Sequence, residues 1–300
     1  MTCGIETGYN SGNRRDLYEG ATNEWRQRKF GNKGRAVEKV SRMNALRLVA
    51  IVLPMVFLVA CSTSKTTLSI EKGPTTPLHR AAADGEPEAV TLLLDGGAEI
   101  EARNEKGGTP LHVAVENNEP EVVASFLDRG ADIEARTENG RMPLHVAAGH
   151  NEPEVIALLL DRGADIHARS TIGITPLHFA AGYNKPEVVA LLLDGGADVR
   201  ALTEDFGLTP LHYAAGYNEP EVVALLLDGG ADINALTAFE STPLHEAASS
   251  NKPEVVALLL DRGAPIEVRD DADFTPLYYA ERNEHLKGSS VLARLRVTQE

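Results

Sequence analysis

Six of the nine histidines stand in one recurring phrase: His79, His112, His145, His178, His212 and His245. A row of imidazoles is the first feature here able to do chemistry, because neutral imidazole is a common metal ligand. The spacing argues against that use. The six recur at a near-constant interval along the chain, so each sits on its own structural unit. Packed helices lie about 10 Å apart, whereas a zinc ion needs its nitrogens within about 2.1 Å. The row cannot converge on one ion. The expected role is a hydrogen-bonded imidazole that braces a turn.

The acidic cluster Asp270, Asp271 and Asp273 has part of the spacing of a calcium loop, but the glycine and the distal glutamate are missing. A solvated hairpin is expected there. The Leu-Leu-Asp-Gly-Gly-Ala-Asp segments close helices and do not open them, so they are not phosphate cradles. The chain has no His-Glu-x-x-His and no nucleophile elbow. Cys3 and Cys61 are the only cysteines, which leaves no internal disulfide framework after residue 70. No catalytic residue, no metal and no cofactor is expected.

The elements that carry the histidines repeat. Thr-Pro-Leu-His recurs from Thr76, Thr109, Thr175, Thr209 and Thr242, with variants opening at Met142 and Thr275. Pro77 and its equivalents suit the first turn of a helix, where the missing N–H costs nothing. That helix is short and alanine-rich (Ala81, Ala114, Ala147, Ala180, Ala214, Ala247), so neighbouring helices can approach closely. A turn is expected at Gly85, Asn118, Asn151, Asn184, Asn218 and Asn251, residue types that tolerate a left-handed backbone. A second proline then opens a second helix at Pro87, Pro120, Pro153, Pro186, Pro220 and Pro253. The glutamate after it lies near the positive end of the helix dipole. Gly97, Gly130, Gly163, Gly196, Gly230 and Gly263 close that helix.

Seven such units over residues 71–300 closely resemble the ankyrin repeat. The resemblance implies an all-α ankyrin-repeat solenoid of helix-turn-helix units with short β-hairpin loops, stacked into one continuous core with polar ends. Arg80 stands where middle units carry Val, Phe or Tyr, as an end unit would. At the other end, Val291, Leu292 and Leu295 are placed to cover the stack, with Lys287, Arg294 and Arg296 facing water.

One segment departs from this pattern. Leu48 to Ala60 is an apolar run of 13 residues, interrupted by Pro54 and preceded by Arg42 and Arg47. It is too short for a membrane-spanning helix, which needs about 20 apolar residues. A secretory signal needs a basic start, roughly 7–15 apolar residues and small residues at the cleavage site. A buried core helix would need a matching amphipathic partner beside it, and none is offered. The run ends Leu58-Val59-Ala60-Cys61, which resembles the lipobox of bacterial lipoproteins. That resemblance implies lipidation of Cys61, a signal peptide over 43–60 and a short linker over 61–70. Ser62, in place of an aspartate, then favours the outer membrane over the inner. Residues 1–42 read as an over-extended start, with translation beginning at Met43, or as a disordered tail.

Charge narrows the partners. Residues 1–60 hold ten Lys/Arg and five Asp/Glu, and the chain totals −15, which leaves −20 on residues 61–300. Phosphate binding needs concentrated positive charge, so no nucleic acid is expected. The ankyrin resemblance implies a protein partner held by hairpin tips and the exposed side of the first helix. By position, that surface holds Ile172, Ile174, Tyr183, Phe206, Leu208, Tyr217 and Phe239, with Phe274 beyond. The alternative is that these side chains pack along their own hairpin row. The expectation is a non-catalytic, monomeric interaction module, lipid-anchored at the bacterial envelope on the periplasmic side. The alternatives are a soluble cytoplasmic interaction protein and, resting only on Asp270, Asp271 and Asp273, an enzyme or metal-dependent factor.

Overall fold

Each unit of the chain folds as its repeated phrase dictates. The computed structural model describes residues 76–296 except 118, 151, 152, 184, 218, 219 and 251. The apolar run, Cys61, the linker and the asparagine turns therefore lie outside the described residues. Those that are described all belong to the compact unit Ser69–Glu300.

Among the described residues, seven first helices open on the repeated proline: α1 (Pro77–Ala83), α3 (Pro110–Glu116), α5 (Pro143–His150), α7 (Pro176–Gly182), α9 (Pro210–Tyr217), α11 (Pro243–Ser249) and α13 (Pro276–Arg282). Six second helices follow: α2 (Pro87–Asp95), α4 (Pro120–Asp128), α6 (Pro153–Asp161), α8 (Pro186–Asp194), α10 (Pro220–Asp228) and α12 (Pro253–Asp261). A 3₁₀ turn, Glu284–Leu286, leads to α14 (Ser290–Arg296). First helices pack on first helices and second on second, each against its neighbours along the stack.

Composition explains the packing. Ala114, Ala147, Ala180, Ala214 and Ala247 are fully buried between first helices. The second helices after α2 bury positions i, i+1 and i+4, as in Val155, Ile156 and Leu159, all at 0 % exposure. Burying one such side chain is worth about 1.5–3 kcal/mol, and no unit can do it alone. Each second helix then stops on a left-handed glycine. At Gly163 (φ 91°), the Ala164 N–H donates to Leu159 O and the Gly163 N–H to Leu160 O, both at 2.9 Å. These two bonds satisfy carbonyls that the helix end would leave open.

The far end closes as its sequence suggests. Val291, Leu292 and Leu295 are buried, while Arg294 pairs with Asp261 at 2.7 Å and Arg296 with Glu281 at 3.0 Å. The hairpin loops differ from expectation. Among the described residues they form turns and no β-strand. Each tip is instead joined to the next by a single backbone bond: Glu138 N to Lys106 O, Thr171 N to Asn139 O, Glu204 N to Ile172 O, Ala238 N to Phe206 O and Asp271 N to Phe239 O, at 2.8–3.1 Å.

Candidate interaction surface

The histidines are engaged within the stack. In unit two the Thr109 N–H donates to His112 Nδ1 at 3.2 Å, and His112 Nε2 reaches the Arg141 carbonyl of the next unit at 3.2 Å. The same bridge to the next unit recurs at His145 to Ile174 O, His178 to Leu208 O, His212 to Ser241 O and His245 to Phe274 O. Nδ1 accepts a backbone proton, so Nε2 carries the imidazole hydrogen and donates it. Burial pushes His112, His145, His178 and His212 down to about 4, against smaller upward pulls from the accepting carbonyls. Both ring nitrogens are engaged by protein, and among the described residues no group of three metal-ligating side chains converges.

The acidic cluster is partly structural. Asp270 is 3 % exposed, not solvated as expected. It accepts from the N–H groups of Ala272 and Phe274 and from the Tyr279 hydroxyl at 2.5 Å. Asn104 plays the same part in the second unit, accepting from Lys106 N and Gly108 N. A turn-forming side chain is required at this position, and aspartate is one of the types that serve. Asp273 remains exposed.

The seven expected contact residues separate into three groups. Ile172 is open at a hairpin tip, 37 % exposed. Tyr183, Phe206, Leu208, Tyr217 and Phe239 are half-buried. Phe206 stacks on Phe239 with centroids 5.6 Å apart, and Tyr183 stacks on Phe179 at 6.2 Å. Ile174 is a correction: it is 6 % exposed, and its N–H donates to Ser170 Oγ at 3.1 Å while its carbonyl takes the His145 bond. It is packed among its neighbours, so its side chain is not offered outward. The Tyr217 hydroxyl is itself buried and has no hydrogen-bond partner among the described residues.

Three exposed leucines escaped the sequence reading: Leu92 on the first unit at 72 %, and Leu202 at 49 % and Leu236 at 51 % in the hairpins. The position of the hairpin pair is Arg103, Arg136 and Arg169 in the preceding units. Each of these arginines reaches forward to the backbone of the next unit. Arg103 donates to Arg136 O, Arg136 to Arg169 O at 2.9 Å, and Arg169 to Leu202 O at 2.7 Å. The run of arginines stops there, and leucines replace them. Comparing one position across units would have found this, whereas searching for aromatic residues did not.

A second row breaks at the same place. Arg129, Arg162 and Arg262 bridge to Asp95, Asp128 and Asp228 of the preceding unit, each at 2.7 Å. In units four and five the arginine is Gly195 or Gly229. At the opposite end, an open groove of about 440 Å³ lies on unit one, lined by Arg80, Ala81, Asp84, Ala89, Leu92 and Leu93.

Fold and bracing thus define a stacked helical repeat of the protein-interaction class. The family model for ankyrin repeats matches residues 55–137, 78–170, 144–237 and 229–298, and the chain belongs to that family. Among solved structures, the ankyrin repeat domain of Bcl-3, described as a unique member of the IkappaB protein family, is 34 % identical. That match covers 75 % of this chain and 100 % of that one, with a TM-score of 0.62. The human ASB11 ankyrin repeat domain is 26 % identical over 73 % of this chain and 97 % of that one, with a TM-score of 0.64. No curated protein matches the chain.

Proposed function

We propose that this chain is a non-catalytic protein-interaction module, held at the bacterial envelope by acyl chains on Cys61 and facing the periplasm, with the outer membrane favoured. The observation that carries the anchor is the run Leu48–Ala60, of signal-peptide length, which closes on Leu58-Val59-Ala60-Cys61. The repeat stack supports the interaction half, since its histidines are taken up in bracing and its uniform units present a continuous surface. Acyl chains would confine that surface to two dimensions and raise the local concentration of any envelope partner.

One observation favours a second reading of the run. Pro54 precedes Thr76 by the same interval at which Pro87 precedes Thr109, Pro120 precedes Met142 and Pro153 precedes Thr175. The first family match also begins at residue 55. On that reading, residues 54–75 are the second half of a further repeat, and the protein has no lipid anchor.

Intact mass of the protein extracted from membranes, native and Cys61→Ala, separates the two. A mass of residues 61–300 plus acyl chains, lost in the variant, supports the lipoprotein. An unlipidated mass that retains residues 54–60 overturns the anchor and supports the additional half-repeat.

A further inference from the structure

Both arginine rows fail over the same stretch of chain, at Gly195 and Leu202 and again at Gly229 and Leu236, and the charge of the chain changes with them. Residues 201–251 contain no Lys or Arg and eight Asp/Glu. The hairpins of units two and three carry Arg103, Lys106, Arg136 and Arg141 against Glu105 and Glu138, whereas those of units five and six carry Glu204, Asp205 and Glu240 alone. These three carboxylates are exposed. Leu202 and Leu236 stand among them, half open to solvent, with the Phe206–Phe239 stack in the same two hairpins. The inner helix feels the same field: burial and then the Asp205 charge raise the Tyr213 phenol above its usual range, and burial and then Glu246 do so for Tyr217.

An exposed leucine has a local cost here. The arginine of earlier units covers the hairpin and donates to the next carbonyl, and leucine does neither. Two adjacent units make the same exchange, and no Lys or Arg within residues 201–251 replaces the ones lost. We infer that the hairpins of units five and six bind an extended protein segment whose apolar side chains rest on Leu202 and Leu236 and whose flanking lysines or arginines face Glu204, Asp205 and Glu240. This rests on the interaction half of the proposed function and is independent of the lipid anchor. Charge complementarity selects the occupant. A second copy of this chain would bring its own share of the −20 on residues 61–300 against the same carboxylates, and like charge opposes it.

The double variant Leu202→Arg/Leu236→Arg is the sharp probe, because it restores the residue that Arg103, Arg136, Arg169 and Arg269 supply in this place. It should fold as the parent does, with an unchanged circular-dichroism melt. The full-length protein and the variant are each used to select from a random displayed-peptide library, and enriched peptides are titrated against both. The expected peptides combine Leu, Ile or Phe with Lys or Arg. They should bind the parent at least tenfold more tightly than the variant and weaken as salt rises. Peptides without basic residues, or no enrichment at all, overturn the inference. Peptides indifferent to the double variant also overturn it, yet leave the protein an interaction module with its site elsewhere. A parent dimer in sedimentation equilibrium that the variant loses would overturn it too, by assigning the surface to self-association.

Discussion

The Nε2 of His178 lies 3.0 Å from the carbonyl oxygen of Leu208, thirty residues further along the chain. The same ring takes the Thr175 N–H at Nδ1, at 3.2 Å. One side chain therefore caps its own helix and closes the hairpin of the next unit. Replacing His178 with Ala leaves a helix cap and a neighbouring carbonyl unserved. The expected loss is about 2–4 kcal/mol, from a cap worth ~1 and an orphaned buried group worth ~1–3. Urea unfolding measures it as a lowered midpoint at constant slope. A loss below about 0.5 kcal/mol, the size of an inert surface change, would mean that the bridge is incidental.

Acid should unfold the stack in a defined window. Four imidazoles have folded values near 4, against about 6.5 in an unfolded chain. Between those values the unfolded state binds more protons, so stability rises with pH. The stabilisation is complete above about pH 6.5 and is lost as pH falls toward 4. Each histidine contributes at most about 1.4 kcal/mol per pH unit across that range. Chemical denaturation at pH 7, 6 and 5 tests this. A flat profile from 7 to 5 would contradict neutral burial.

Hairpin tips offer a matched pair of substitutions with opposite signs. Gly140 has φ 69°, and a Cβ there would stand 2.7 Å from the Thr171 backbone nitrogen. Gly140→Ala should destabilise by about 1–3 kcal/mol. In unit six the same turn is made by Glu240 at φ 57°, which costs a side chain about 1 kcal/mol. Glu240→Gly should therefore raise the melting temperature. A fall would show that this carboxylate makes a compensating interaction.

Tyr217→Phe is expected to be neutral or stabilising by up to about 1 kcal/mol, because removing a buried, unpartnered hydroxyl relieves a desolvation cost. The hydroxyl it removes has no partner among the described residues. Thermal unfolding checks the sign. A clear drop in melting temperature would show that the hydroxyl is satisfied after all.

Much of this architecture is legible in the sequence because local chemistry and repetition agree. Every proline in the two expected series opens a helix, and the glycines after the second helices adopt the expected positive φ. The spacing of the histidines points to bracing rather than convergence, but that each reaches the next unit shows only in the contacts. What escaped depends on contacts between units. Ile174 reads as an exposed tip residue until its carbonyl is seen to serve His145. Asp270 reads as solvated until Tyr279 arrives from nine residues further on. Leu202 and Leu236 look like ordinary surface leucines until Arg169 shows what the position does elsewhere. Among the described residues the loops form no strand because each is closed on itself by only two backbone bonds, as Thr137 N to Arg141 O at 2.9 Å and Gly140 N to Thr137 O at 2.8 Å close theirs, too few for a ladder.

The imidazole bridges also fix where this chain can be cut and rejoined. Each inner unit gives one neighbour a proton donor and receives one from the other, at the same place in the phrase. Excising or duplicating a whole repeat leaves every donor with an acceptor, whereas a break inside a repeat strands a donor on one side and an acceptor on the other. Inheritance can thus change the length of this protein in steps of one phrase. The near-copies Ala-Ala-Gly-Tyr-Asn at residues 180–184 and 214–218 are the kind of scar that such a step would leave.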